Sequence, residues 1–329
     1  MRIELGIDTF GDVTADTAGR MRSQAETLRD VLAEAVLAEQ VGIDAFGVGE
    51  HHRADFAVSA PEVVLAAIAA RTERITLGSA VTVLSTDDPI RVFQRFSTLN
   101  ALSKGRAEVI LGRGSFTESY PLFGYDLNQY NELFEDKLAR FAALLKPGNG
   151  GVYPPIESGT LRTWVGVGGS PESVVRAARY GLPLTLAIIG GSAMRFRPYV
   201  DLYLQSLERF GHPVQPIAVH SPGHVAATDQ IAKDELWPHY AAMMTRIGAE
   251  RGWPPATRDR FELEAGSGGA LCVGSPETVA KKIIATVRAL GLSRFDMKYS
   301  AGTLPHASLM NSIELFGTTV ARHVRDALA

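Results

Sequence analysis

A single cysteine, Cys272, occurs in the 329 residues. No internal disulfide or thiolate cluster can therefore staple the fold. A basic surplus is missing too, with 33 Lys and Arg against 36 Asp and Glu, a net charge of -3. That balance argues against a polyanion-binding surface, and with no basic run neither nucleic acid nor anionic lipid is an expected partner. No apolar run approaches the roughly 18 residues of a membrane span. The opening "MRIELGIDTF" lacks the long apolar stretch and small-residue cleavage site of a signal peptide and reads as a strand. The expectation is a soluble, cytoplasmic protein. Gly-x-Ser-x-Gly is absent, which removes the nucleophile elbow of one large hydrolase class.

What is present is a regular alternation of short β-like runs and amphipathic helices. "RIELGID", "IDAFGVG", "RITLGSAVTV", "RAEVILG", "TWVGVGG", "LPLTLAII", "PIAVHSPGHVAA" and "RFDMKYS" read as strands. The intervening segments carry helical spacing. Asp88 is placed as an N-cap before Pro89, and Pro61 and Pro171 stand in first helical turns. A Gly/Pro-rich connector covers residues 146–159, and the alternation breaks over 228–269, which reads as a partly helical insertion. About eight strand–helix units in one domain spanning 1–329 predict a TIM-like (β/α)8 barrel with a long insertion after the seventh strand. A doubly wound sheet is the rival, because periodicity does not show closure; strand count and length favour the barrel.

In such a barrel chemistry gathers where strands end. Five strand ends carry polar or glycine-rich signatures: "GEHH", "TVLSTDD", "GRGSFTES", "GVGGSPES" and "HSPGH". The insertion begins on the same face and is expected to act as a lid. In "GVGGSPES", Gly168, Gly169 and Ser170 precede Pro171. Compact backbone and a helix N-terminus suit a phosphate, with Ser173 as a further hydroxyl. A plain capped βα turn explains the same residues equally well. Arg113 stands between two glycines, as a planar anion-binding fork or as a solvated arginine. His51 and His52 are adjacent and lack a helix-borne second pair, while His220 and His224 are separated by Ser-Pro-Gly, so no metal site is expected. Proton transfer or substrate hydrogen bonding suits a strand-end histidine, and a structural histidine is the competing reading.

Together, "GEHH", "LGSAVTVLSTDDPIRVFQRF", "LSKGRAEVILGRGSF", "LFGYD", "GGSPESVVRAARYGLP" and "GSPETVAKKI" resemble the bacterial luciferase-like family of flavin-dependent oxidoreductases over nearly the whole chain. The resemblance implies a barrel holding FMN at the C-terminal strand ends. A separate NAD(P)H-dependent reductase would supply the reduced flavin, and O2 would be activated to oxygenate a small, apolar organic substrate. It implies proton handling by His51, which the neighbouring Glu50 and His52 are expected to orient. It also implies phosphate binding by Arg113, Gly169, Ser170 and Ser173, and a homodimer. Ala80-Val81 falls where the family often has a non-proline cis peptide facing the flavin ring; nothing in "SAVT" itself specifies that bond. Light-emitting members carry a cysteine where this chain has Gly112, so light emission is not expected. Two alternatives share the scaffold: an F420-dependent dehydrogenase or reductase, and a flavin-binding protein without catalysis.

Overall fold

The computed structural model describes residues 2–16, 18–146, 148 and 151–329. Pro147, Asn149 and Gly150 of the expected connector therefore lie outside the described residues. Among the described residues ten strands form, namely β1 (Glu4–Thr9), β2 (Ala45–Val48), β3 (Thr76–Ser79), β4 (Thr82–Val83), β5 (Ala107–Gly112), β6 (Arg162–Val167), β7 (Leu184–Ala187), β8 (Ile217–Val225), β9 (Cys272–Gly274) and β10 (Arg294–Lys298). Each is paired in parallel, in the order β10-β1-β2-β3-β5-β6-β7-β8. A further pairing of β10 with β8, from Arg294↔Ala218 to Lys298↔Pro222, closes the circle. The sheet is thus a closed barrel of eight parallel positions, and the doubly wound alternative is excluded. The strand run after Arg74 is split: β3 pairs β2 and β5, the chain turns at Ala80-Val81, and β4 resumes against Leu111 and Gly112. β9 lies off the barrel, beside the far end of β8.

Helices α1 (Gln24–Gln40), α2 (Pro61–Ala69), α3 (Pro89–Leu102), α4 (Ser119–Leu122), α5 (Tyr130–Leu144), α6 (Pro171–Arg179) and α7 (Arg197–Phe210) fill the first connections. The seventh barrel strand, β8, leads into α8 (Asp229–Arg251) and α9 (Arg258–Ala265), so the irregular stretch read from sequence is a two-helix insertion. Then come α10 (Pro276–Leu290), α11 (His306–Leu315) and α12 (Ala321–Leu328). The caps follow local chemistry. Asp88 accepts from the Ile90 and Arg91 amides ahead of Pro89, and Ser170 accepts from Ser173 N ahead of Pro171. No helix among the described residues is long and apolar enough to cross a membrane.

Side chains alternate across each strand. Outward residues such as Leu5, Ile7, Phe46, Val109, Leu111, Val165, Val219, Phe295 and Met297 join the helices in the main apolar core. The inward set is different: a small apolar group of Ile110, Trp164 and Ala218 shares the barrel interior with Glu108, Arg294 and Asp296. Arg294 ion-pairs with Glu108, donates to Asp296 Oδ1 at 2.8 Å and lies 5.7 Å from the Trp164 ring centre. These charges plug the barrel and form the floor of the space above.

Candidate active site

A cavity of about 390 Å³ opens at the C-terminal ends of the strands. Its wall is continuous with the inward positions of the barrel: Asp8, Gly47, Gly78, Gly112, Gly166 and His220 all line it. Glycine at so many inward positions keeps the wall flat and lets a broad planar ligand approach backbone. Phe10, Phe56 and Phe116 stand on one side, and Tyr240, Met243, Met244 and Ile247 of α8 cover another.

The "GEHH" residues divide into two groups. Glu50 accepts from Val83 N at 2.8 Å through Oε2 and is 2.9 Å from His52 Nε2 through Oε1. Glu50 therefore fixes β4 and His52, and the expected support of His51 by these two neighbours is not made. The His51 ring instead sits in an aromatic sleeve, 4.4 Å from the ring centres of both Phe10 and Phe56 and 5.3 Å from Phe116. Its Nδ1 is buried with no hydrogen-bond partner among the described residues. Burial pushes the His51 pKa down to about 3, so its ring is neutral near pH 7.

Ala80, Val81, Arg113 and Gly168 line the same cavity as these residues, and the Ala80-Val81 bond is cis. The Arg113 guanidinium donates to Asn131 Oδ1 at 2.8 Å and lies over the Tyr130 ring at 5.0 Å, leaving further donors free. Gly169, Ser170 and Ser173 lie beyond the lining, at the start of α6. Gly169 has φ +115°, a conformation that favours glycine, and a Cβ at Gly168 would meet nothing within 4 Å. Ser170 caps the helix and donates to Glu172 Oε2 at 2.8 Å, while the buried Ser173 hydroxyl accepts from Arg176 at 3.2 Å. The capped-turn reading thus holds for Ser170, and the open space sits over Gly168, while Tyr199 packs against Gly169 and donates to its carbonyl at 2.9 Å. Among the described residues no group of three or more His, Cys, Asp or Glu is placed to hold a metal ion.

Three arrangements on the floor and rim were not foreseen: the Asp8 partner of His220, the Lys298 pair and the Arg53 cluster. His220 is 2.8 Å from Asp8 through Nδ1, and Lys298 is 3.0 Å from Asp12 and 4.4 Å from the Phe10 ring centre. At the rim, Arg53 donates to Glu250 of α8 at 2.5 and 2.8 Å, to Asp55 at 3.2 Å, and also to Glu118. The alternation in "RFDMK" and "ELGID", charged or glycine on one face and apolar on the other, signals a polar barrel interior. Nothing local signals that Asp8 meets His220, which is 212 residues away.

Comparison with known proteins matches residues 9–294 to the luciferase-like monooxygenase family. The alkanal monooxygenase alpha chain of Photorhabdus laumondii is 26% identical over 212 residues, 59% of this chain and 58% of the relative. The chain thus aligns with little more than half the length of that curated relative. Among solved structures, the FMN complex of the oxygenating constituent of 3,6-diketocamphane monooxygenase from Pseudomonas putida superposes with a TM-score of 0.76 at 18% identity, covering 97% of this chain and 98% of that one. The F420-dependent tetrahydromethanopterin reductase of Methanopyrus kandleri gives 0.71 at 16% identity, covering 98% and 100%. These two likenesses show the fold. The match over most of its length establishes that the chain belongs to the luciferase-like monooxygenase family of oxidoreductases.

Proposed function

We propose that this protein is an FMN-dependent, two-component monooxygenase acting on a small apolar organic molecule. One observation carries the reading: a glycine-walled cavity with an apolar cover on one side, and Arg113 and the open position at Gly168 at its edge. A planar ring against Ala80, Val81 and Gly112, with a phosphate toward Arg113 and the first turn of α6, uses each of these features. The fit rests on the open space over Gly168, the free Arg113 donors and the unpartnered, buried His51 Nδ1. Reduced FMN, when bound, supplies the two electrons that activate O2.

The chain's own residues would bind, orient and dry that site. Arg113 and the α6 amides neutralise a phosphate. Glu50 holds β4, and with it the cavity wall at Val83. Neutral His51 offers a hydrogen-bonding nitrogen inside an apolar sleeve. The α8–α9 insertion acts as a lid: Tyr240, Met243, Met244 and Ile247 exclude water and present an apolar surface to the substrate. The chain has no dinucleotide fingerprint, which fits delivery of reduced flavin by a separate NAD(P)H-dependent reductase.

Titration of the apoprotein with FMN and, in parallel, F420, followed by flavin fluorescence, tests the reading. FMN is expected to be preferred, and Arg113→Ala to weaken it about tenfold to a hundredfold, the worth of a charge-assisted contact. Preference for F420 would replace oxygenation with hydride transfer. Binding of neither would overturn the flavin reading.

A further inference from the structure

Three imidazoles line the cavity: His52, held by Glu50, and His51 and His220, which both lie beside Phe10 in opposite environments. The His51 ring centre is 4.4 Å from that of Phe10 and that of His220 is 6.1 Å away. His51 has no carboxylate partner. His220 projects from β8 onto the floor, with Nδ1 held 2.8 Å from Asp8 Oδ2. No described residue hydrogen-bonds its Nε2, and the side chain keeps 13% of its surface exposed. Asp8 Oδ1 is itself buried and unpartnered, so this carboxylate has no competing donor among the described residues.

We propose that His220, oriented by Asp8, is a catalytic proton donor on the cavity floor, and that its Nε2 serves the reacting molecules directly. This rests on the oxidoreductase reading above and adds a residue to it. The arrangement is the familiar one in which a carboxylate fixes the tautomer of an imidazole and stabilises its cationic form. In the transfer the Nε2–H bond breaks and an O–H bond forms on an oxygen of the reacting molecules. The ring keeps the electron pair and becomes neutral, and a solvent proton entering through the cavity mouth restores it.

The charges around the ring support this division of work. His220 faces Asp8 on β1 and Asp296 and Lys298 on β10, with the Phe10 ring 6.1 Å away. Burial works against its cation, but the Asp8 carboxylate outweighs burial and the opposing Lys298, holding its pKa above the ordinary histidine value. Paired titratable groups driven apart by their surroundings mark acid and base roles.

The test begins with the unmodified protein. Histidine ring signals are followed by NMR against pH, with Asp8→Asn and His220→Gln used for assignment. His220 is expected to titrate above the ordinary histidine range and His51 not to titrate between pH 5 and 9. Asp8→Asn should lower the His220 midpoint by about 1–3 units, the usual effect of losing an adjacent opposite charge. A wild-type midpoint at or below the ordinary value overturns the proposal without needing any variant to fold. In the second arm FMN-loaded protein is reduced and mixed with O2, and flavin reoxidation is followed across pH. His220→Gln should change the rate about 10²-fold or more and remove the upper pH inflection, with FMN affinity kept within a few-fold. A wild-type pH profile in that variant, with FMN bound, overturns the proposal. Failure of the wild-type protein to bind FMN instead overturns the proposed function, and the NMR result then stands apart from it.

Discussion

A Cβ at position 112 would stand 2.5 Å from Val81 Cγ2 and 3.1 Å from Val81 Cβ. Val81 is β-branched and stiff, so it cannot swing aside cheaply. The glycine that takes the place of the light-emitting members' cysteine therefore belongs to the packing of the cavity wall. Gly112→Ala is expected to cost about 1–3 kcal/mol, the usual penalty for overpacking, and to weaken FMN binding. Urea unfolding and flavin fluorescence would read both effects, and Val81→Ala placed in the same chain should recover much of the loss. If Gly112→Ala alone is as stable as the parent, the two positions do not compete for space. The role of His51 is equally a matter of surroundings. "GEHH" marked the location, but only the sleeve of Phe10, Phe56 and Phe116 separates it from His52, which Glu50 holds.

At the scale of elements, the ends of strands and starts of helices were legible because their chemistry is local. Asp88 with Pro89, and Ser170 with Pro171, announce helix starts through side-chain caps and the fixed proline φ. The insertion was legible as a break in period, while its attachment was not. Arg53 from the loop after β2 ties together Asp55, Glu118 beside α4 and Glu250 near the end of α8, and Arg246 of α8 adds a bond to Asp55 at 2.5 Å. The Arg53 side chain is 11% exposed and Asp55 16%, while Glu118 and Glu250 are 38% and 42% exposed, so solvent screens the bonds that reach α4 and α8. Arg53→Ala is expected to loosen the C-terminal half of α8, raising amide exchange there about tenfold or more while leaving the barrel strands protected. Hydrogen exchange read by mass spectrometry checks this. Unchanged protection over α8 would show that the apolar contacts of Tyr240, Met243 and Ile247 hold the helix by themselves.

Across the whole molecule, the barrel is closed by β10, and β10 carries the charges that fill its interior. Arg294 reaches Glu108 on β5, with both side chains nearly fully buried, and Glu108 also accepts from Trp164 Nε1 at 3.2 Å. Removing one member leaves uncompensated buried charge, so Arg294→Met is expected to lower stability by about 3–5 kcal/mol. Chemical unfolding at neutral pH would measure it, and a loss under about 1 kcal/mol would show that Glu108 and Asp296 take up protons or water instead. The direction of the Asp296 shift agrees with a crowded anionic floor: burial raises its pKa to about 6 even with Arg294 beside it.

By itself the sequence determined the alternation of strand and helix, the faces that become core, the caps, and the strand ends where a site would form. Each depends on residues within a few positions of one another, where period, cap chemistry and backbone preference act. It also determined the family, because an ordered set of short motifs spans the chain. Only the tertiary structure decided that the sheet closes, that Glu50 serves His52 and not His51, that the serines of "GGSPES" are engaged within their own helix, and that Asp8 finds His220. These outcomes depend on contacts between distant segments. Burial in those contacts then sets how readily a group carries charge, because an isolated imidazole among phenylalanines has its pKa pushed down while one beside a carboxylate has it held up.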